Sequence, residues 1–140
     1  RLKIFGDTSV LSPKLKKLIA RTEEISARIQ GFQANICLNY GGRDEIVKAA
    51  QKYAAEYAET GEELTEEKFG NLLYSAGIPD PDLIIRPSGE LRVSNFLLWQ
   101  SAYAEYYYTD TLWPDFNRHA LDKALINYQT RNRRFGGLKG

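Results

Sequence analysis

FQANICLNYGGR, running from Phe32 to Arg43, decides the fold. Phe32 to Tyr40 reads as a largely buried strand. Gly41-Gly42 then permits a tight turn. From Arg43 to about Glu59 apolar residues recur at helical spacing, with Ile46, Val47, Ala50, Tyr53, Ala54 and Tyr57 on one side. A strand passing through a glycine turn into an amphipathic helix is half of an α/β unit, and the same alternation continues in both directions.

Upstream, Leu2-Lys3-Ile4-Phe5-Gly6-Asp7 alternates apolar residues into a turn signal and reads as a strand already under way. Ser12-Pro13 pairs an N-cap serine with proline at the first helical position. Leu15, Leu18, Ile19, Thr22, Ile25 and Ile29 follow at helical spacing, and Gly31 ends the segment. Downstream, Thr65 opens a short helix expected to reach about Tyr74, and Gly77 to Pro81 is a rigid connection. Asp82 to Arg86 is a short apolar strand ending in a charge, and Pro87-Ser88-Gly89 turns the chain. Ser94 is expected to cap a helix through Phe96 to Trp99. Glu105 to Tyr108 is a last strand, and Asn117 to about Asn132 a last helix with Leu121, Ala124, Leu125 and Tyr128 inward.

The expected fold class is α/β: a mostly parallel sheet with helices on both faces, in one domain over residues 1–140. Such sheets bind ligands at the carboxyl ends of their strands. That rule points to Asp7, to Asn39 through Arg43, and to Arg86 through Ser94.

Composition narrows the function. The 140 residues hold 19 Lys and Arg against 18 Asp and Glu, a balance that argues against a protein that coats polyanions. Apolar residues at 43% suit a folded core rather than disorder. Cys37 is the sole cysteine, which excludes an intrachain disulfide or a CxxC site. It reads as an inert thiol in an apolar strand. His119 is the sole histidine and reads as a surface residue, so histidine-clustered metal sites are excluded. The chain holds no methionine and begins inside a strand, which reads as a piece of a longer protein.

The strongest chemical constellation is Ile85-Arg86-Pro87-Ser88-Gly89-Glu90-Leu91-Arg92-Val93-Ser94-Asn95. Two guanidinium forks and a hydroxyl leave a strand through a glycine turn toward a helix start. That set suits a phosphate or diphosphate. The competing reading pairs the arginines with Glu90 and other carboxylates, with Ser94 only a cap. Glu105 is a carboxylate among aromatic neighbours. It suits a hard cation such as Mg²⁺ shared with substrate phosphates, or equally an edge ion pair with an arginine. Asn39 to Arg43 lacks the length and lysine of a P-loop and reads as structural. Arg131, Arg133 and Arg134 precede Phe135-Gly136-Gly137, whose backbone N–H groups suit close approach to phosphate. Trp99, Tyr103, Tyr106, Tyr107, Tyr108, Trp113 and Phe116 read as core and dimer packing, with a lipid or protein surface as the alternative.

Taken in order, these pieces resemble the cis-prenyltransferase family, whose bacterial members are undecaprenyl diphosphate synthases. The matching stretches are Ile4-x-Gly6-Asp7, Leu38 to Arg43, Asp82 to Gln100 with its Arg86-x-Ser88-Gly89-Glu90-x-Arg92-x-Ser94-Asn95 core, Ala102 to Glu105, Trp113 to Phe116 and Arg133 to Gly137. They span the whole chain. The resemblance implies a transferase that condenses isopentenyl diphosphate onto an allylic polyprenyl diphosphate, forms cis double bonds, uses Mg²⁺ and serves cell-wall lipid-carrier synthesis. It implies that Arg86, Arg92, Val93, Ser94, Arg134 and Gly136 bind substrate and that Glu105 helps bind Mg²⁺. It further implies a cytoplasmic homodimer with peripheral membrane contact through the lipid product and no nucleic-acid partner.

Pro87 and Leu91 depart from the family pattern, where a small residue and a histidine are usual. The Asp-Gly-Asn-Gly-Arg-type loop that binds the allylic diphosphate in the family is not among these residues. The 140 residues alone are therefore expected to hold the isopentenyl diphosphate site, to carry no catalytic residue and to be inactive. The alternative is a non-catalytic family subunit that stabilises a partner synthase. The intact arginine set favours the enzyme.

Overall fold

The computed structural model describes residues 1–132. Arg133, Arg134 and Gly136, expected to approach the diphosphate, lie outside the described residues. The described residues fall into two compact units, Arg1–Ile78 and Pro79 onward.

The first unit begins with β1 (Leu2–Phe5), followed by α1 (Pro13–Ala27) and β2 (Ala34–Cys37). The two strands pair in parallel, Leu2 opposite Ala34 and Phe5 opposite Cys37. On the other edge of β1, the Leu2 and Ile4 amides donate to Ser26 Oγ (2.9 Å) and Glu23 Oε1 (2.8 Å) of α1. Polar side chains of α1 thus occupy a strand edge that would otherwise be open. Ser12 caps α1 by accepting from the Leu15 amide, and Pro13 stands at the first turn, as the sequence predicts.

The helix α2 (Gly42–Thr60) ends at Gly61, which is left-handed, and the short α3 (Glu66–Gly70) is capped by Thr65. Two expectations change here. The third helix stops at Gly70 rather than near Tyr74. The inward face of α2 carries Gly42, Glu45 and Ala49, while Val47 and Tyr57 are exposed. Glu45 explains the rotation. Its buried carboxylate accepts from the Tyr40 hydroxyl (2.6 Å) and the Tyr74 amide (2.7 Å). A satisfied carboxylate can occupy the interior where periodicity alone would place an alkyl group. The strand expected to be largely buried is only partly so, with Asn35 and Ile36 exposed.

The second unit holds β3 (Leu83–Arg86), β4 (Glu105–Tyr108), a 3₁₀ turn (Trp113–Asp115) and α4 (Arg118–Gln129). The strands β3 and β4 again pair in parallel, Leu83 opposite Glu105 and Arg86 opposite Tyr108. Asn117 caps α4 through Ala120 N, and Ala124 is its buried residue. Leu121 and Leu125, expected inward, are exposed. Trp113 is exposed too, stacked on Phe116 at 6.3 Å. It is therefore not core packing within the described residues.

The expected helix from Ser94 is absent. Ser94, Asn95 and Leu97 all have positive φ (52°, 62° and 44°). Left-handed residues break the i to i−4 ladder, so residues 94–103 form successive turns instead.

Candidate functional site

Arg86 ends β3 and Arg92 lies seven residues past Ile85 on the turn-rich segment beyond it. Both line one cavity of about 120 Å³ together with Ile84, Ile85, Pro87, Val93, Phe96, Tyr106 and Tyr108. The cavity runs along the paired residues Ile84 and Tyr106 to Arg86 and Tyr108, so it reaches the carboxyl ends of two parallel strands, where this class of sheet takes ligands. Most of its wall is aliphatic or aromatic, and the two guanidiniums supply the positive charge.

The arginines differ in state. Arg92 forms an ion pair with Glu90, and about two thirds of its side chain stays exposed. An exposed pair contributes about 0–1 kcal/mol, so an incoming dianion can displace the carboxylate. Among the described residues no ion pair holds Arg86. Its backbone oxygen accepts from Thr109 N at 3.1 Å. The pairing with Glu90 that the competing sequence reading expected is thus present for Arg92.

Val93 lines the cavity and Ser94 does not. The Ser94 side chain stands on an exposed, left-handed residue, and no helix N-terminus supplies N–H groups there. The arginine pair and Val93 are brought together; the hydroxyl is not part of the wall.

Glu105 lies at the amino end of β4, opposite Leu83, whereas Arg86 lies at the carboxyl end of β3. Three residues of strand separate those levels by about 10 Å. Its Oε2 accepts from Arg131 Nη1 at 2.7 Å, the edge ion pair of the competing reading. Arg131 also holds Asn127 Oδ1. Among the described residues no three His, Cys, Asp or Glu side chains gather as metal ligands. Mg²⁺ takes one or two carboxylates and completes its shell with substrate phosphates, so Glu105, once released by Arg131, is the carboxylate here that would suit it.

The carboxyl rim of the first sheet is closed by its own contacts. Asp7 N donates to Asn39 O (3.1 Å), and Asn39 Nδ2 returns a bond to Asp7 O (2.9 Å). Gly6 has φ +125°, and a Cβ there would lie 2.1 Å from Leu38 O, so only glycine fits. Lys48 Nζ sits 2.7 Å from Asp7 Oδ2 and 2.9 Å from Asp44 Oδ2. The bond from Lys48, and next that from Ser9, whose amide donates to Asp7 Oδ1 at 2.9 Å, holds the Asp7 carboxyl well below the usual carboxylate range, while the bonds to Asp7 and then Asp44 push the Lys48 ammonium up. This agrees with the structural reading of Asn39 through Arg43. Cys37 is half-buried, and burial, then the charge of Glu45, pushes its thiol up. A raised thiol is a poor nucleophile at neutral pH. His119 is exposed, as expected.

Sequence reading missed Thr109 and Thr111. They lie where the loop after β4 meets the loop after β3, with Gly89 N donating to Thr109 O and Ser88 N to Thr111 O, both at 2.9 Å. Neutral threonines carry no charge signal, and their partners lie some twenty residues away.

Residues 1–136 match the family model described as "Putative undecaprenyl diphosphate synthase". The chain is 49% identical to an isoprenyl transferase of Prochlorococcus marinus subsp. pastoris, covering 99% of this chain and 52% of that one. It is 47% identical to an isoprenyl transferase of Clostridium tetani, covering 95% and 53%. The chain spans about half the length of the curated relatives it matches. Its fold is similar to lavandulyl diphosphate synthase from Lavandula x intermedia, a crystal structure in complex with dimethylallyl diphosphate (TM-score 0.92, 38% identity, 97% of this chain and 60% of that one). It is also similar to a probable undecaprenyl diphosphate synthase from Campylobacter jejuni (TM-score 0.85, 35% identity, 97% and 62%).

Proposed function

We propose that this chain, which belongs to the undecaprenyl diphosphate synthase family of isoprenyl transferases, carries the isopentenyl diphosphate site of an enzyme that lengthens an allylic polyprenyl diphosphate with cis double bonds. The supporting observation is the shared cavity: two arginines and an apolar wall against one space of about 120 Å³. A short isoprenoid diphosphate needs both. Arg86 and Arg92 neutralise and orient the diphosphate through charge-assisted bonds. Ile84, Ile85, Val93, Phe96, Tyr106 and Tyr108 take the five-carbon tail and exclude water from the carbon that reacts. The double bond of isopentenyl diphosphate then supplies the electron pair for a new carbon–carbon bond at the allylic carbon, the diphosphate on that carbon departs, and a proton leaves the second carbon of the isopentenyl unit to form the new cis double bond.

Several finer points belong to the same proposal and rest on the resemblance. Residues 1–140 are part of one catalytic domain, and alone they bind the acceptor without completing a turnover. Ser94, Arg134 and Gly136 join the diphosphate contacts in the assembled enzyme. The enzyme is a homodimer serving cell-wall lipid-carrier synthesis in the cytoplasm and meets the membrane through its product. Among the described residues no helix is long and apolar enough to cross a membrane. Mg²⁺ dependence with Glu105 as a ligand is carried by the resemblance.

The test is incorporation of radiolabelled isopentenyl diphosphate into a longer prenyl chain by the full-length protein. Incorporation that falls in Arg86→Ala and Arg92→Ala supports the enzyme. No incorporation, together with stimulation of a partner synthase, overturns it in favour of the silent subunit.

A further inference from the structure

We infer that the turn Thr109 to Thr111 is the positioning element of the arginine cradle, holding the Ser88–Gly89 turn and with it the spacing between Arg86 and Arg92. The inference rests on the proposed diphosphate site and adds residues that do not touch it.

The observations are geometric. The ladder between β3 and β4 ends at Arg86 and Tyr108. Beyond it the two chains stay tied by three further bonds: Thr109 N to Arg86 O (3.1 Å), Gly89 N to Thr109 O (2.9 Å) and Ser88 N to Thr111 O (2.9 Å). Ser88 and Gly89 are consecutive left-handed residues, at φ +73° and +67°. Glycine adopts that region freely and serine does not. A strained serine in a turn persists when its surroundings over-determine it. Here the surroundings are the backbone of residues 109 and 111.

The 109–111 turn is in turn closed by its side chains. Thr109 Oγ1 donates to Thr111 Oγ1 at 3.1 Å and accepts from Thr111 N at 3.3 Å. Both threonines are half-buried, and neither lines the cavity. Of the five non-glycine residues with positive φ among the described residues, Ser88, Ser94, Asn95 and Leu97 lie on the segment that carries Arg92. Strain gathered on one segment marks a geometry that function requires rather than one that folding prefers. Arg86 stands before that segment on a rigid strand, and Arg92 stands within it. The hold on Ser88 and Gly89 therefore sets where the second guanidinium lies relative to the first.

The experiment measures steady-state kinetics of the full-length protein with isopentenyl diphosphate varied. Thr109→Val keeps the shape and removes the hydroxyl. It is expected to raise KM by about three- to tenfold, the loss of one or two net hydrogen bonds, with kcat within about twofold of wild type. Thr109→Ser restores the hydroxyl and is expected to restore KM. Thr111→Val removes the other hydroxyl and gives the same KM rise if Thr109→Val does not fold. Arg86→Ala is measured in parallel. A wild-type KM in both threonine variants, with KM raised in Arg86→Ala, overturns the positioning role and leaves the site standing. A fall in melting temperature and active fraction at unchanged KM also overturns it, since that is a merely structural role. A wild-type KM in Arg86→Ala overturns the site reading itself.

Discussion

Arg86 and Tyr108 face each other as the last paired residues of β3 and β4, and both line the cavity that Arg92 enters from the loop beyond. A rigid strand end thus presents one guanidinium, and a segment of left-handed turns presents the other. The two charges thus meet one apolar wall from different elements.

Arg92 is held by Glu90, and the carboxylate competes with any anion for the same guanidinium. Glu90→Gln is expected to tighten binding of inorganic diphosphate by up to about fivefold, the weight of one exposed pair. Isothermal titration of the full-length protein checks this; weaker binding in the variant would show that Glu90 instead orients Arg92 productively.

Gly89 has φ +67°, and a Cβ placed there would lie 3.0 Å from Asp110 Oδ1. Gly89→Ala is expected to destabilise the protein by about 1–2 kcal/mol, the cost of a left-handed alanine. Urea unfolding measures it. An unchanged midpoint and slope would mean that the turn relaxes without cost.

Asp7 and Lys48 give a pH signature. The folded Asp7 carboxyl lies below its ordinary value near 3.8, so its contribution is fully present above that value and fades as pH falls through the folded one. Lys48 lies above its ordinary 10.5, so its contribution is present below that value and fades as pH rises through the folded one. Asp7→Asn is therefore expected to lose stability at neutral pH, with the gap to wild type closing below about pH 3.8. Denaturation of both proteins from pH 2 to 8 measures it; a gap independent of pH would contradict the charge pairing.

Glu105 and Arg131 share a bond of 2.7 Å with both side chains partly exposed. A double-mutant cycle with Glu105→Gln and Arg131→Gln is expected to give a coupling of about 0.2–1 kcal/mol. Zero coupling would leave the Glu105 carboxylate uncommitted and open to another partner.

Most of the fold was legible because it is local. Ser12-Pro13 announces a helix start through capping chemistry, and the starts expected at Thr65 and Asn117 prove to be side-chain caps too. The four strands were legible as short apolar or aromatic runs. The helix from Ser94 failed because its residues are helix-compatible by type. Their left-handed backbone follows from loop contacts that no local pattern records. The face of α2 was misjudged at Glu45, whose burial depends on Tyr40 and on Tyr74, 29 residues away. At the site, Arg86 and Arg92 were legible from charge and position after a strand. Ser94 was legible by type, but its place off the cavity wall follows from its left-handed backbone, and Thr109 and Thr111 were silent because their part lies in backbone bonds between distant loops.

The most direct test of the cradle is the KM of the full-length protein for isopentenyl diphosphate in Arg86→Ala. Loss of a charge-assisted contact predicts a rise of about thirty- to a hundredfold, or 2–3 kcal/mol. A KM equal to that of the wild type would contradict the assignment.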